Sequence, residues 1–116
     1  MSAPYTGPGL SLHVTFHIDP AKVPAFLEAL KPAYDVVTAE PECIFFEVFQ
    51  MPDKPGVFKF VEDWNASMEW LVNLKKEYYK PYLEATEPLY LKPREFEIFE
   101  RMPENQWVSV KEAMLK

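Results

Sequence analysis

The sequence predicts an α+β protein with a ferredoxin-like β-α-β-β-α-β order, in which a four-stranded antiparallel sheet carries both helices on one face. Four stretches have the alternation, or the β-branched and aromatic content, of strands. Two longer stretches repeat apolar residues at helical spacing. A chain of 116 residues is expected to form one domain. We therefore assign residues 1–11 to a flexible leader, 12–102 to the folded domain and 103–116 to a C-terminal amphipathic helix or tail.

The first strand is "LSLHVTFHI" at residues 10–18, in which apolar and polar side chains alternate. Successive side chains of a strand point to opposite faces of the sheet. One face therefore carries Leu12, Val14, Phe16 and Ile18, and the other carries His13, Thr15 and His17. The first of these faces is suited to a core.

The first helix is expected within "DPAKVPAFLEALKPAYDVVTAEP". Asp19 is a favourable N-cap, and Pro20 fits the first helical position. Pro32 removes one backbone hydrogen bond and should kink the helix, and Pro41 marks its end. The predicted apolar face consists of Val23, Phe26, Leu27, Leu30, Tyr34 and Val37.

The middle of the chain reads as an antiparallel hairpin with a longer loop. Its strands are "CIFFEVFQ" and "GVFKFVEDW", joined by the turn-forming segment "MPDKPG". The second helical stretch, "NASMEWLVNLKKEYYKPYLEATEPL", has Asn65 or Ser67 as its N-cap, and Pro81 should divide it into two pieces. The last strand is "REFEIFERM". The predicted C-terminal helix around Trp107 is expected to reach a partner subunit or to cover a pocket mouth.

The second face of the predicted sheet has no helix to cover it. It carries the apolar side chains Phe45, Phe49, Val57, Val61 and Phe99. A contiguous apolar face of this kind is too large to remain in water. We therefore expect a homodimer that packs through the sheet faces.

Composition and charge restrict the class of function. The net charge of −6 and the absence of a basic stripe argue against nucleic acid and anionic membranes as partners. The single cysteine, Cys43, excludes an internal disulfide and favours a cytoplasmic location, and no apolar run has membrane-spanning length. No cluster of His, Cys and carboxylates has metal-ligand spacing. Nine Phe, six Tyr and three Trp suggest an oligomer interface or a pocket for a flat ligand.

The stretch "FKFVEDW" contains the main catalytic candidate. It places Glu62 on one strand face with Phe58, Phe60 and Trp64. Glu62 is either a buried general base or a solvated carboxylate at a rim, paired with Lys or Arg. A purely structural glutamate is the third possibility. Trp64 and Trp70 either hold a flat aromatic substrate or pack sheet against helix.

Histidines and tyrosines are further candidates for acid–base chemistry and binding. His13 and His17 could form a proton shuttle, or they could be hydrogen-bonded at an interface. Tyr78 and Tyr82 lie one helical turn apart and could donate hydrogen bonds to a phenolate or carbonyl, or pack in a core.

Together these segments resemble the antibiotic biosynthesis monooxygenase domain of the dimeric α+β barrel superfamily, over residues 12 to about 101. The resemblance rests on the strand ending before "DP", the "AEPECIFFEV" segment, the pair Glu62 and Trp64, and the helix from Trp64 to Trp70. It implies a pocket between the sheet and the helices. It also implies oxidation of electron-rich aromatic compounds by dioxygen without metal, flavin or haem.

The chain departs from the pattern of this family at three positions. Phe60 stands where characterised members have an Asn that helps hold substrate or oxygen. Asn73 and Tyr78 stand where many relatives have His, and Tyr78 gains interest from that position. No axial His for haem is present on this helix.

The sequence therefore predicts a cofactor-independent monooxygenase of secondary metabolism that acts on a polyketide-like or quinol aromatic. The proposed catalytic residues are Glu62, His17 and Tyr78. The proposed substrate-binding residues are Phe58, Phe60, Trp64, Trp70, Asn73, Tyr82 and His13. The alternatives are a non-oxidative cyclase, dehydratase or decarboxylase on the same scaffold, and a non-catalytic dimeric binding or stress-associated protein.

Overall fold

A computed structural model of the chain describes residues 5–103 and 106–111. The elements are β1 (Leu10–Ile18), α1 (Val23–Thr38), β2 (Cys43–Met51), β3 (Lys54–Trp64), α2 (Met68–Tyr78), α3 (Lys80–Thr86) and β4 (Tyr90–Glu100). Short 3-10 turns precede α1 and β4. The predicted β-α-β-β-α-β order is confirmed, with the second helical stretch divided into α2 and α3.

The four strands form one antiparallel sheet in the order β2-β3-β1-β4. The register places Leu12 of β1 opposite Glu62 of β3 and Ile98 of β4. One pair further along, Val14 lies opposite Phe60. Glu62 therefore lies on the same side of the sheet as the buried apolar residues of β1.

The core lies between this side of the sheet and the helices. All four predicted core residues of β1 are buried, and the rings of Phe16 and Phe26 lie 5.7 Å apart. The buried residues of α1 are Phe26, Leu30, Ala33 and Val37. The prediction that Leu27 belongs to this face is wrong, because Leu27 is 42% exposed. The buried residues follow a 4-3-4 spacing along the helix, and Leu27 lies about 90° from the centre of that stripe.

The polar caps and the prolines fix where the helices begin and end. Asp19 Oδ1 accepts a hydrogen bond from the Ala21 amide (3.0 Å), but it caps the 3-10 turn, and α1 begins at Val23. Ser67 caps α2, since its Oγ accepts from the Trp70 amide at 3.1 Å. Pro81 lies in the first turn of α3, where its missing amide needs no partner. The predicted division at Pro81 is therefore confirmed.

The β2–β3 hairpin is tighter than predicted. Met51 pairs with Lys54, so that Pro52 and Asp53 alone form the turn. The longer loop that the sequence predicts is therefore replaced by a two-residue turn. Past the turn, Gly56 is buried where β3 approaches the end of β1. A Cβ atom at residue 56 would collide with the carbonyl oxygen of Ile18 and would lie 3.1 Å from its carbonyl carbon.

Replacing Gly56 with Ala is expected to lower the free energy of unfolding by about 2 kcal/mol, because the obstructing atoms belong to the backbone. Urea denaturation measures this change. Gly7→Ala is a matched control, since its added Cβ would meet only the movable side chain of Tyr5, and we expect a change within about 0.5 kcal/mol. Equal stability of the two variants would contradict the close approach at Gly56.

The sheet face away from the helices is apolar and uncovered in the single chain. Phe49 and Phe99 are 45% and 48% exposed, and Phe45, Val57 and Val61 are half-buried. Gln106 and Trp107 form a turn, and residues 106–111 contain no helix. The rest of the predicted C-terminal helix, residues 104–105 and 112–116, lies outside the described residues. Within the described ranges, no helix has both the length and the apolar character needed to cross a bilayer.

Candidate active site

A cavity of about 270 Å³ lies between the helix-facing side of β1, β3 and β4 and the helices α2 and α3. Apolar side chains from all of these elements form most of its wall. Six polar or charged residues also line it: Glu62, Lys75, Lys76, Tyr79, Tyr82 and Arg94. Glu62 is the single carboxylate among the lining residues.

Glu62 is fully buried in the wall of this cavity, with a relative exposure of 0%. Its Oε1 accepts hydrogen bonds from Lys75 Nζ (2.6 Å) and Trp64 Nε1 (3.1 Å). Its Oε2 is also buried and has no hydrogen-bond partner among the described residues. Glu62 is therefore not solvated at a rim, although it is paired with a lysine as that alternative expected: the carboxylate is buried, with one oxygen paired and the other without a partner among the described residues.

Local structure brings the three residues of this network together. Glu62 and Trp64 are two apart on β3 and so lie on the same face of the sheet. Lys75 comes from the last turn of α2, whose start is fixed by the Ser67 cap. The Lys75 ammonium also lies 5.1 Å from the centroid of the Tyr79 ring. The network therefore ties β3 directly to α2.

Tyr79 and Tyr82 place two hydroxyl groups in the same wall. Both side chains are buried and their rings lie 5.2 Å apart. The Tyr79 hydroxyl has no hydrogen-bond partner in the described parts of the chain, whereas the Tyr82 hydroxyl interacts with those of Tyr90 and Thr86. Burial and the charge of Glu62 raise the pKa of Tyr79 far above its ordinary value. Burial raises the pKa of Tyr82 in the same direction. Both groups therefore remain protonated hydrogen-bond donors at neutral pH.

Cys43 is not suited to nucleophilic chemistry. The thiol is half-buried, and burial together with the charge of Glu62 raises its pKa to about 11. It is therefore protonated at neutral pH, whereas the thiolate is the reactive form. No group of three or more His, Cys, Asp and Glu side chains that could hold a metal ion occurs within residues 5–103 and 106–111.

The cavity includes part of the predicted site. Glu62, Phe60 and Tyr82 line it. Phe58 and Trp64 are buried in the core beside it, and the Trp64 ring lies 6.1 Å from that of Trp70. Phe58, Trp64 and Trp70 do not line the cavity; they belong to the core or pack against it, and their predicted contact with substrate stays a prediction.

The other predicted residues lie elsewhere. His13 bonds to Ser11 Oγ (2.9 Å) on the uncovered sheet face, and His17 on that same face pairs with Glu95 (2.7 Å). Asn73 is exposed. Tyr78 is 38% exposed and lines a surface groove between α1 and α3. None of these four predicted site residues lines the cavity.

Lys75, Tyr79 and Arg94 line the cavity and were not predicted. Tyr79, and not the predicted Tyr78, lines the cavity, because consecutive side chains of a helix are rotated by about 100° about its axis. Arg94 is two residues before Phe96 and four before Ile98 on β4, so that all three side chains lie on the helix-facing side of the sheet. The alternation was the signal that could have found it. Lys75 carries no comparable signal, because its pairing with Glu62 depends on how α2 packs.

The fold and the cavity define a class of small ferredoxin-like α+β proteins with a site between sheet and helices. Residues 10–84 match the family profile of antibiotic biosynthesis monooxygenase, and the chain belongs to this family. A Pestalotiopsis microspora protein named "Putative monooxygenase" is 45% identical over 105 residues, covering 89% of this chain and 88% of its own length.

Solved structures of low sequence identity share the fold. A "putative antibiotic biosynthesis monooxygenase" from Caulobacter crescentus CB15 superimposes with a TM-score of 0.75 at 24% identity, over 84% of this chain and 93% of that chain. A protein described in the same words from Nitrosomonas europaea gives a TM-score of 0.70 at 20% identity, over 78% and 95% of the two chains. The predicted resemblance and fold class are confirmed.

Proposed function

We propose that the protein is a monooxygenase that needs no cofactor and acts on a quinol or a polyketide-like phenol. The observation that carries the proposal is the buried Glu62 carboxylate, which has one oxygen paired with Lys75 and the other unpartnered in the wall of an apolar cavity. Membership of the family and the name of the Pestalotiopsis microspora relative support the same class of reaction.

The proposed reaction begins with proton transfer from a substrate hydroxyl to Glu62 Oε2. The resulting phenolate is electron-rich and passes one electron to dioxygen, and the two radicals combine to form a C–O bond at a ring carbon that bears hydrogen. The hydroperoxide then loses water and leaves a carbonyl. The hydroxyl hydrogen and the hydrogen of the oxygenated ring carbon leave with one oxygen atom as water. The other oxygen atom enters the product as the carbonyl oxygen.

The other polar groups of the cavity have roles in this scheme. Lys75 keeps the Glu62 carboxylate in position, and its cation favours the negative charge that develops on substrate and dioxygen. Tyr79 is a buried donor without a partner among the described residues, so that it can donate to a phenolate or carbonyl oxygen of the ligand, and Tyr82 lies beside it in the wall. The wall of the cavity is mostly apolar, which strengthens each of these interactions relative to bulk water.

The volume of the cavity restricts the size of the substrate. At about 270 Å³ it lies just below the range of about 300–1,000 Å³ that is usual for small-molecule sites. We therefore propose a substrate with one or two rings.

Oxygen consumption by the purified protein tests the proposal. A panel of hydroquinones and dihydroxynaphthalenes is offered under air with a chelator present. We expect one oxygen molecule consumed per molecule of hydroxylated quinone formed, with one ¹⁸O atom from ¹⁸O₂ in the product. Turnover that continues without oxygen would contradict the proposal and favour a cyclase, dehydratase or decarboxylase that uses Glu62 and the two tyrosines as base and acids. Ligand binding without turnover would favour a binding protein.

We also propose that two chains associate through their uncovered sheet faces, as Phe49 and Phe99 are too exposed for a face in water. Sedimentation equilibrium should give twice the chain mass of 13.6 kDa, and a mass of 13.6 kDa at micromolar concentration would contradict the proposal. The single Cys43 supports action in the reducing cytoplasm.

A further inference from the structure

Arg94 brings an unneutralised positive charge to the cavity. It lies on β4, is half-buried, and lines the cavity from the side opposite α2 and α3. Its guanidinium carbon lies 5.1 Å from the centroid of the Phe96 ring. Among the described residues it has no carboxylate partner, whereas Arg101, the other arginine of the chain, pairs with Asp63.

The charges of the lining residues are unequal. Three cations, Lys75, Lys76 and Arg94, face one carboxylate, Glu62, which is already paired with Lys75. Arg94 lines the same cavity as Tyr79 and Tyr82, and its charge acts to lower the pKa of both tyrosines against the larger effect of burial. The cavity thus has a positive excess in a protein whose net charge is −6.

We infer that the ligand of this cavity carries a carboxylate in addition to its phenolic hydroxyl, and that Arg94 binds this carboxylate. The inference rests on the proposed function, because it identifies the substrate class of the same site as a hydroxylated aromatic acid. A guanidinium presents a planar pair of N–H donors that matches the two oxygens of a carboxylate. Lys76 adds a second cation at the same cavity. Arg94 lies beyond residues 10–84, so that the family match says nothing about it.

Calorimetric titration with two probes of equal ring structure tests the inference. The probes are 2,5-dihydroxybenzoate and its methyl ester, which differ in charge but not in the phenolic hydroxyls. We expect the unaltered protein to bind the acid at least about tenfold more tightly, since a hydrogen bond between charged groups contributes a factor of this order. The preference should decrease as ionic strength rises.

Three variants separate a specific role of Arg94 from a general change in charge. Arg94→Gln should bind both probes with the affinity that the unaltered protein has for the ester. Arg94→Lys keeps the charge without the paired donors, and we expect an intermediate preference. Arg101→Gln removes the arginine that pairs with Asp63 outside the cavity, and it should keep the full preference. Circular dichroism establishes that each variant is folded.

Equal affinity for acid and ester in the unaltered protein, no binding of either probe, or a preference that survives in Arg94→Gln would each overturn the inference. Oxygen consumption is recorded separately with each probe and with hydroquinone. Oxidation of the neutral compounds without any preference for the acid would overturn the inference and leave the oxygenase proposal standing. Arg94-dependent binding of the acid without oxygen consumption would support the inference and contradict the oxygenase proposal.

Discussion

Replacing Glu62 with Gln is expected to lower quinol-dependent oxygen consumption by about 100-fold or more, the usual contribution of a general base. Glutamine has the same length, and its carbonyl oxygen can still accept from Lys75 Nζ and Trp64 Nε1. Its amide group occupies the position of Oε2 and cannot take up a proton. The loss should therefore appear in kcat, measured with an oxygen electrode.

Asp63→Asn is the matched control for this substitution. Asp63 is the next residue on β3, but its side chain points to the other sheet face and pairs with Arg101. We expect this variant to keep its turnover within about twofold while it loses one carboxylate from the same strand. Full activity of Glu62→Gln, or an equal loss in both variants, would show that Glu62 is not the base.

Replacing Lys75 with Met should lower the free energy of unfolding by about 3 kcal/mol, because it leaves the buried charge of Glu62 without its cation. The methionine side chain preserves most of the packing of the lysine stem. A loss of this size is a large part of the 5–15 kcal/mol that stabilises a typical domain. The midpoint of urea denaturation, with an unchanged slope, measures it.

Lys76→Met is the control for the stability prediction. Lys76 follows Lys75 on α2 but is exposed, and no carboxylate pairs with it within the described residues. We expect its free energy of unfolding to change by at most about 0.5 kcal/mol. A loss at Lys75 no larger than that at Lys76 would mean that the pair with Glu62 contributes little to the fold.

The sequence predicts the elements of this fold well because each has a strong local signal. The alternation of β1 and the proline at residue 81 give the core strand and the division between α2 and α3. The errors occur where local signals compete with packing. Leu27 satisfies a helical stripe but lies outside the narrower face that reaches the sheet. The segment at residues 51–56 is rich in turn residues, yet Met51 pairs with Lys54, and only two residues remain for the turn.

The candidate site is less predictable, because it depends on relations between elements. Strand alternation is sufficient to place Glu62 and Phe60 toward the helices. It cannot show that a lysine 13 positions later reaches Glu62, since that depends on the packing of α2 on the sheet. The choice between Tyr78 and Tyr79 depends on the exact end of α2, which sequence patterns locate only within a few residues. His17 was assigned to a site because of its chemistry, whereas its strand face directs it to the opposite side of the sheet.

The short helix α3 has a consequence for how this protein could be redesigned. Its seven residues contribute Tyr82 and Leu83 to the cavity, while the paired carboxylate and ammonium come from β3 and α2. The part of the cavity wall that α3 supplies and the paired carboxylate and ammonium are therefore encoded in separate stretches of the gene. A library restricted to codons 80–86 would vary the α3 part of the wall while Glu62 and Lys75 stay unchanged, so we propose α3 as the segment to exchange in seeking new ligands.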